Sequence, residues 1–234
     1  MGLPQDFQAG VWKSAPLNRI PFDPFYAVVL DEGFVGYDAS TGGEYTLTQA
    51  TAGSAAISTT YPGTLAIDSG STTATQGANV QRLKSAFVPA ANKDIWAEFQ
   101  VMWTGVGALN VEAFIGLAES DTTIIAGSAV TTANHIGWSS VTDDGVLLFN
   151  VSKTGPSGTT AASMTLAAST WYKLGFYYSG TSDTVQQYVD GVAVGDPIAT
   201  TYIPKVAVFP SMVVQSGGTD QPVMNVRYKI IQLR

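Results

Sequence analysis

Cysteine is absent from all 234 residues, so disulfides, thiolate metal sites and cysteine nucleophiles are excluded, and redox chemistry says nothing about compartment. Histidine occurs once, as His135, which rules out a metal site built from several imidazoles and leaves a single candidate base for a Ser-His-Asp arrangement. Charge is scarce too: Asp, Glu, Lys and Arg make up 12% of the chain, against about 25% in an ordinary globular domain. The 11 basic residues are scattered and outnumbered by 18 acidic ones, giving a net charge of −7. That balance opposes a nucleic-acid role, because neutralising phosphates takes clustered Lys and Arg. No stretch approaches the roughly 18–20 uninterrupted apolar residues of a membrane helix, and no apolar run preceded by basic residues stands at the N-terminus. Neither a cleaved secretion signal nor membrane insertion is therefore expected.

What the chain does have is apolar material, 45% of its residues, with Ser, Thr and Gly supplying much of the remainder. A length of 234 residues suits one large all-β domain without requiring two. Residues 1–26 differ from the rest. Pro4, Pro16, Pro21 and Pro24 interrupt any regular element, yet Phe7, Val11, Trp12, Leu17, Ile20, Phe22, Phe25 and Tyr26 are interleaved among them. A solvated tail would be poor in aromatics, so this segment reads as an extended arm lying on its own domain or on a neighbouring subunit.

From residue 27 onward a two-residue alternation dominates. Ile95, Ala97, Phe99, Val101 and Trp103 point one way, opposite Glu98 and Gln100 with Trp96 and Met102. Leu109, Val111, Ala113, Ile115 and Leu117 form a second such face; Tyr172, Leu174, Phe176 and Tyr178 a third; Met224, Val226, Tyr228 and Ile230 a fourth, opposite Asn225, Arg227 and Lys229. Weaker candidates fall at 27–30, 34–37, 64–68, 79–88, 135–141, 145–151, 159–166, 184–189 and 206–215, and residues 38–79 read as short strands joined by polar loops. Asp144-Gly145 and Asp190-Gly191 signal hairpins, with further reversals at Gly42-Gly43 and Gly217-Gly218. With no helical segment long enough for a βαβ crossover, the pattern predicts antiparallel strands in two stacked sheets. Any helix should be short, within 126–134. The division is then an extended arm, 1–26, and one β-sandwich domain, 27–234.

The run Trp171-Tyr172-Lys173-Leu174-Gly175-Phe176, followed by Tyr188-Val189-Asp190-Gly191, resembles the paired central strands of concanavalin-like, laminin-G-like jelly rolls, in which aromatics fill the space between sheets and Asp-Gly closes a tight turn. The strings Asp94-Ile95-Trp96-Ala97-Glu98-Phe99, Phe114-Ile115-Gly116-Leu117-Ala118-Glu119 and Ile136-Gly137-Trp138, with the same Tyr188-Val189-Asp190-Gly191 hairpin, are in addition similar to jelly-roll proteins of tailed bacteriophages that accompany the major capsid protein, some as decoration or cement proteins. This second likeness covers about residues 80–234. It implies a non-catalytic protein on the outer capsid surface of a virion, made in the host cytoplasm, with the major capsid protein as partner and self-association as a dimer or trimer on the shell. The arm lies outside the likeness, and its apolar residues Trp12, Phe22 and Phe25 are the candidate partner-binding residues.

Chemistry is hard to find. Glycosidases occur on the same sandwich and need two carboxylates about 5–9.5 Å apart, expected as Glu-x-Asp-x-x-Glu on one strand. Nothing matches: Glu98 has Trp96 and Gln100 as same-face neighbours, and Glu112 has Asn110 and Phe114. Gly137-Trp138-Ser139-Ser140-Val141, beside His135, fails the nucleophile-elbow pattern at its last position. Asp143-Asp144-Gly145 lacks the alternating oxygen ligands of a calcium loop, and Gly105-Val106-Gly107 lacks the rest of a phosphate-binding loop. No catalytic residue, cofactor or metal is expected. The rival reading is a carbohydrate-binding sandwich of a tail or fibre, a glycan stacking on Trp96, Trp138 or Tyr177; a glycosidase ranks behind it.

Overall fold

The structure, a computed structural model, describes residues 7–8, 11–12, 27–40, 42–107, 110–141, 144–154 and 159–233. Along them run β1 (Phe7–Gln8), β2 (Val11–Trp12), β3 (Ala27–Glu32), β4 (Thr46–Ala50), β5 (Ser54–Ile57), β6 (Leu65–Asp68), β7 (Gly77–Gln81), β8 (Ile95–Thr104), β9 (Val111–Ala118) and β10 (Ile125–Ala126). There follow β11 (Ala129–Val130), β12 (His135–Ser140), β13 (Val146–Ser152), β14 (Thr159–Thr165), β15 (Tyr172–Ser179), β16 (Thr184–Val189), β17 (Val192–Ala199), β18 (Phe209–Ser216) and β19 (Val223–Leu233). Among the described residues the helical content is one 3-10 turn, Thr200–Tyr202.

The strands build two large antiparallel sheets. One has seven strands in the order β14-β13-β12-β9-β18-β7-β4; the other has eight, β17-β16-β15-β8-β19-β6-β5 with β3 also on β19. β6 takes the Val223–Val226 half of β19, and β3 takes the half from Tyr228 to Leu233. The chain is an all-β, two-sheet sandwich of the concanavalin-like jelly-roll kind.

The alternation read from the sequence sorts the side chains between core and exterior. Ile95, Ala97, Phe99, Val101 and Trp103 of β8 are at most 1% exposed, and so are Val111, Ala113, Ile115 and Leu117 of β9 in the opposite sheet. The sheets meet through these faces: Phe149 of β13 lies 6.0 Å from Phe176 of β15, ring centre to ring centre, and Trp138 of β12 packs edge-on against Phe149 at 5.3 Å. Each such side chain, fully withdrawn from water, contributes roughly 1.5–3 kcal/mol. At the β16–β17 hairpin Asp190 and Gly191 have φ of 50° and 82°, the two positive values that a type I′ turn demands.

The stretch 126–134, the place open to a short helix, holds none: β10 and β11 pair there as a hairpin, because Gly127 and Ser128 both take positive φ (56° and 57°) and reverse the chain. Two local expectations fail. Residues 34–37 are not a strand: Phe34 has φ of 26° and inserts its ring between Tyr45 and Tyr228, at 5.8 and 5.9 Å. The strand expected over 79–88 ends at Gln81, and Phe87 makes only an isolated bridge to Val208.

The hairpin of β10 and β11 matters for function because it covers part of one outer face. Ile124 and Ile125 pack on Phe114, Ala118 and Val213 of the seven-stranded sheet. The same loop is stapled down by Gln81, whose Nε2 donates to Glu119 O (3.0 Å) and Ser211 Oγ (2.8 Å) and whose Oε1 accepts from Asp121 N (2.9 Å). Asn79 Nδ2 adds a bond to Asp121 O at 2.9 Å.

Candidate functional site, a groove on the eight-stranded sheet

Among the described residues, the outer face of the eight-stranded sheet carries no comparable cover over its middle. Three cross-strand rows follow from the register of β15, β8 and β19: Lys173–Gln100–Arg227, Gly175–Glu98–Lys229 and Tyr177–Trp96–Ile231. β3 extends the last two, setting Asp31 beside Lys229 and Val29 beside Ile231. Arg227 Nε donates to Gln100 Oε1 at 2.6 Å, and Lys229 Nζ lies 3.5 Å from Asp31 Oδ2. Gly175 leaves the middle row without a side chain between Tyr188 of β16 and Glu98. The result is a hollow of ≈ 340 Å³ lined by Asp31, Glu98, Gln100, Lys173, Arg227 and Lys229 among others. Gln100 and Arg227 also line a second hollow of ≈ 270 Å³, so the two form one groove.

Aromatic pairs mark both ends. At one, Tyr61 and Trp171 meet edge to face, 5.7 Å between centroids and 86° between planes. Tyr61 belongs to the β5–β6 connection, which is tied within itself: Ser58 Oγ accepts from Tyr61 N (3.0 Å), and Thr64 Oγ1 and N both donate to Tyr61 O (2.7 and 3.2 Å). At the other end Trp96 and Tyr177 stack at 4.0 Å. Asp94 holds that corner, accepting from Tyr177 Oη (2.9 Å) and Gly180 N (2.8 Å). Burial, helped by the Asp94 carboxylate, pushes the Tyr177 phenol up to about 12.

The three aromatics singled out as a sugar platform are divided by the structure. Trp138 is fully buried between the sheets, and Trp96, although it faces outward, is 5% exposed, packed with Ala27, Ile231 and Tyr177. Tyr177 is half-buried. The accessible aromatic wall is instead Tyr61 with Trp171, which the sequence reading passed over. Trp171 was assigned to the space between sheets with Tyr172; only Tyr172 packs on the core. The available signal was parity, since Trp171 is out of phase with Tyr172, Leu174, Phe176 and Tyr178. Of the candidate arm residues, Trp12 is the register partner of Phe7 in the β1–β2 ladder, whereas Phe22 and Phe25 lie outside the described residues.

Glu98 and Glu112 stand on opposite sides of the molecule. Glu112 is on the outer face of the seven-stranded sheet, opposite Gln215, 3% exposed and hydrogen-bonded by Ser128 Oγ at 3.2 Å. On its own face Glu98 has Asp31 two strands away, with the Lys229 ammonium standing between and ion-paired to Asp31. His135 is buried, its ring edge-on to Phe114 and its Nδ1 2.7 Å from Thr132 O. Burial lowers the pKa of this imidazole. Ser139 Oγ accepts from Asn150 Nδ2 at 2.6 Å, and among the described residues it makes no hydrogen bond to the imidazole. Asp144 Oδ1 accepts from Val146 N (2.9 Å), a turn-stabilising bond, and Asp143 lies outside the described residues. Among the described residues no three His, Asp or Glu side chains cluster in a way that would hold a metal ion.

No family model matches the chain, and no curated protein matches it in sequence. Solved structures do. Peanut lectin, in a complex with a nine-residue peptide, superposes with a TM-score of 0.59 at 11% identity, covering 89% of this chain and 99% of the lectin. A protein of unknown function from Shewanella oneidensis MR-1 gives 0.57 at 15% identity over 88% of this chain and 85% of its own. The Crh5 transglycosylase gives 0.55 at 13% identity, with coverages of 88% and 84%. At such identities the likeness establishes the lectin-like jelly-roll fold, and function has to be argued from the residues.

Proposed function

We propose that this chain is a non-catalytic adhesion protein that decorates the outer capsid surface of a tailed phage, binding the major capsid protein lattice after synthesis in the host cytoplasm and self-associating there as a dimer or trimer. The observation that carries the non-catalytic part is the placement of Glu98 and Glu112 on opposite outer faces, where they cannot act on one bond. The phage assignment draws its support from the sequence: the strings that resemble phage jelly rolls occupy β8, β9 and β12, towards the middle of the two sheets, and the β16–β17 turn at one edge of the eight-stranded sheet. A protein that binds only the assembled lattice stabilises it by mass action, and several weak contacts per copy suffice once seating is multivalent.

Virions lacking this protein should rupture at lower temperature, and adding the purified chain back should restore wild-type heat resistance with copies retained on sedimented capsids. Removal of residues 1–26 should leave a folded sandwich that sediments poorly with capsids. Unchanged rupture temperature together with no capsid-bound copies rejects the assignment. A second reading, glycan binding in the groove, is favoured by one feature: the half-buried wall of Tyr61 and Trp171 stands beside the hydrogen-bonding groups of Gln100 and Arg227.

A further inference from the structure

We propose that the aromatic end of the groove is a subsite for a carboxylated pyranose, a uronic acid residue within a glycan whose next residue along the groove is neutral; the inference rests on the glycan reading above. Four observations lead to it. The wall of the smaller hollow is hydroxyl, amide, guanidinium and aromatic, from Thr60, Tyr61, Thr64, Gln100, Trp171 and Arg227, with no carboxylate among the described residues that line it. Its ≈ 270 Å³ is just under the roughly 300–1,000 Å³ of drug-sized ligand sites and suits a single sugar ring.

Arg227 supplies the second. Arg82, Lys205 and Lys229 are each ion-paired, but Arg227 has no carboxylate within ion-pair distance among the described residues. Its Nε is committed to Gln100, which fixes the guanidinium plane and leaves the two terminal nitrogens as a fork suited to a carboxylate. Lys173, across Gln100 in the same row, adds a second positive charge. The third is the order of the platform: the Tyr61 backbone is tied by Ser58 and Thr64, and its ring buttresses Trp171 edge-on, which limits what is lost in ordering when a sugar ring stacks.

The fourth observation sets the neighbour. Past Gln100 the groove carries Glu98 and Asp31 with Lys229 and Lys173, a floor in which acids balance bases. A second carboxylate there would meet Glu98, whereas a neutral sugar can use the same groups through its hydroxyls. The overall charge of −7 opposes an anionic ligand at long range, but beyond about 8 Å that repulsion is screened at physiological salt, so the local row decides.

The test uses the full chain and a hyaluronan tetrasaccharide, in which glucuronate alternates with an N-acetylated neutral sugar, beside its methyl ester, which keeps the shape and removes the charge. Titration calorimetry should show the ester binding roughly tenfold or more weakly, as loss of a bidentate charge-assisted contact implies. Arg227→Gln should bring the acid down to the level of the ester, and Trp171→Ala should abolish both; circular dichroism confirms that the variants remain folded. Added salt should weaken the acid and spare the ester. Equal affinity of acid and ester, or an Arg227→Gln variant indistinguishable from wild type, overturns this inference and leaves the glycan reading standing. Binding of neither compound, with no response on an array of neutral and acidic glycans, overturns both.

Discussion

Arg82 spans the opening between the two sheets, and its replacement by Met is a sharp test of how that end of the sandwich is held. It directly follows β7 in the seven-stranded sheet, yet its guanidinium is hydrogen-bonded to Glu32 at the end of β3 in the other sheet and to Glu44 just before β4. It also lies over the Tyr45 ring at 5.4 Å, and Tyr45 Oη is 3.1 Å from Tyr228 Oη, a second link across the sheets. The two ion pairs differ in worth. Glu44 is 58% exposed, so that arm contributes no more than about 0.2–1 kcal/mol. Arg82 and Glu32 are 13% and 15% exposed, and stripping the cation from such a carboxylate leaves a charge with poor solvation, for which about 3–5 kcal/mol is usual in full burial. Met retains most of the aliphatic bulk, so the packing loss is small, and a total near the lower bound, about 3–4 kcal/mol, is expected. In a chain of this size that corresponds to roughly 6–16 °C in Tm. Urea unfolding followed by tryptophan fluorescence should show a lower midpoint at unchanged slope. The decisive comparison is the double variant: Arg82→Met with Glu32→Gln should be more stable than Arg82→Met alone, because the abandoned charge is gone. A loss below about 1 kcal/mol, or no recovery in the double variant, would refute the reasoning.

Alkaline stability should track the buried phenols: burial raises the pKa of Tyr37, Tyr45, Tyr177, Tyr178 and Tyr228, with Tyr37, Tyr177 and Tyr228 at about 12. Folded values above the unfolded 10 mean that this stabilisation is complete below pH 10 and is lost as pH climbs from there through 12, so phenolate absorbance should rise late and together with loss of structure; all tyrosines ionising near the ordinary value in a still-folded chain would contradict it. Trp138→Ala, which empties a fully buried site against Phe149, should cost about 3–5 kcal/mol in urea unfolding, and a cost under about 1 kcal/mol would mean that the indole is not in the core.

How much of this was legible in the sequence depends on where each residue sits in a sheet. β8, β9, β15 and β19 are central strands, buried on the inner face along their length, so their alternation is unbroken and their register parity could be read directly. β17 was missed because it is an edge strand: Val192–Ala199 contains Gly195, Asp196 and Pro197, is mostly exposed, and its pairing with β16 shifts register between Val185 and Gln187, which an edge tolerates and a central strand does not. The hairpin of β10 and β11 was not legible, because two-residue strands joined by a turn with positive φ at Gly127 and Ser128 leave almost no alternation to read. The site divides along the same line. Glu98, Gln100, Arg227 and Lys229 were visible as the outward parity of β8 and β19, but their convergence with Tyr61 and Trp171 was not, because both aromatics lie outside regular strands and tertiary packing alone brings them together.

The two outer faces therefore have different fates, and the register explains why the groove cannot be separated from the core. On the seven-stranded sheet the chain between β9 and β12 folds back as a hairpin and covers part of the face with Ile124 and Ile125. On the eight-stranded sheet Lys173 and Arg227 flank Gln100 from adjacent strands, which sets them about 10 Å apart by two inter-strand steps. That spacing belongs to the backbone ladder and is not adjustable by side-chain rotation alone. A slip of β19 by one residue against β8 would turn Arg227 and Lys229 inward and Tyr228 and Ile230 outward, destroying core and groove together. The parity that buries Met224, Val226, Tyr228 and Ile230 is thus the same parity that presents the cations, so any ligand of this face is recognised by a surface as rigid as the sandwich itself.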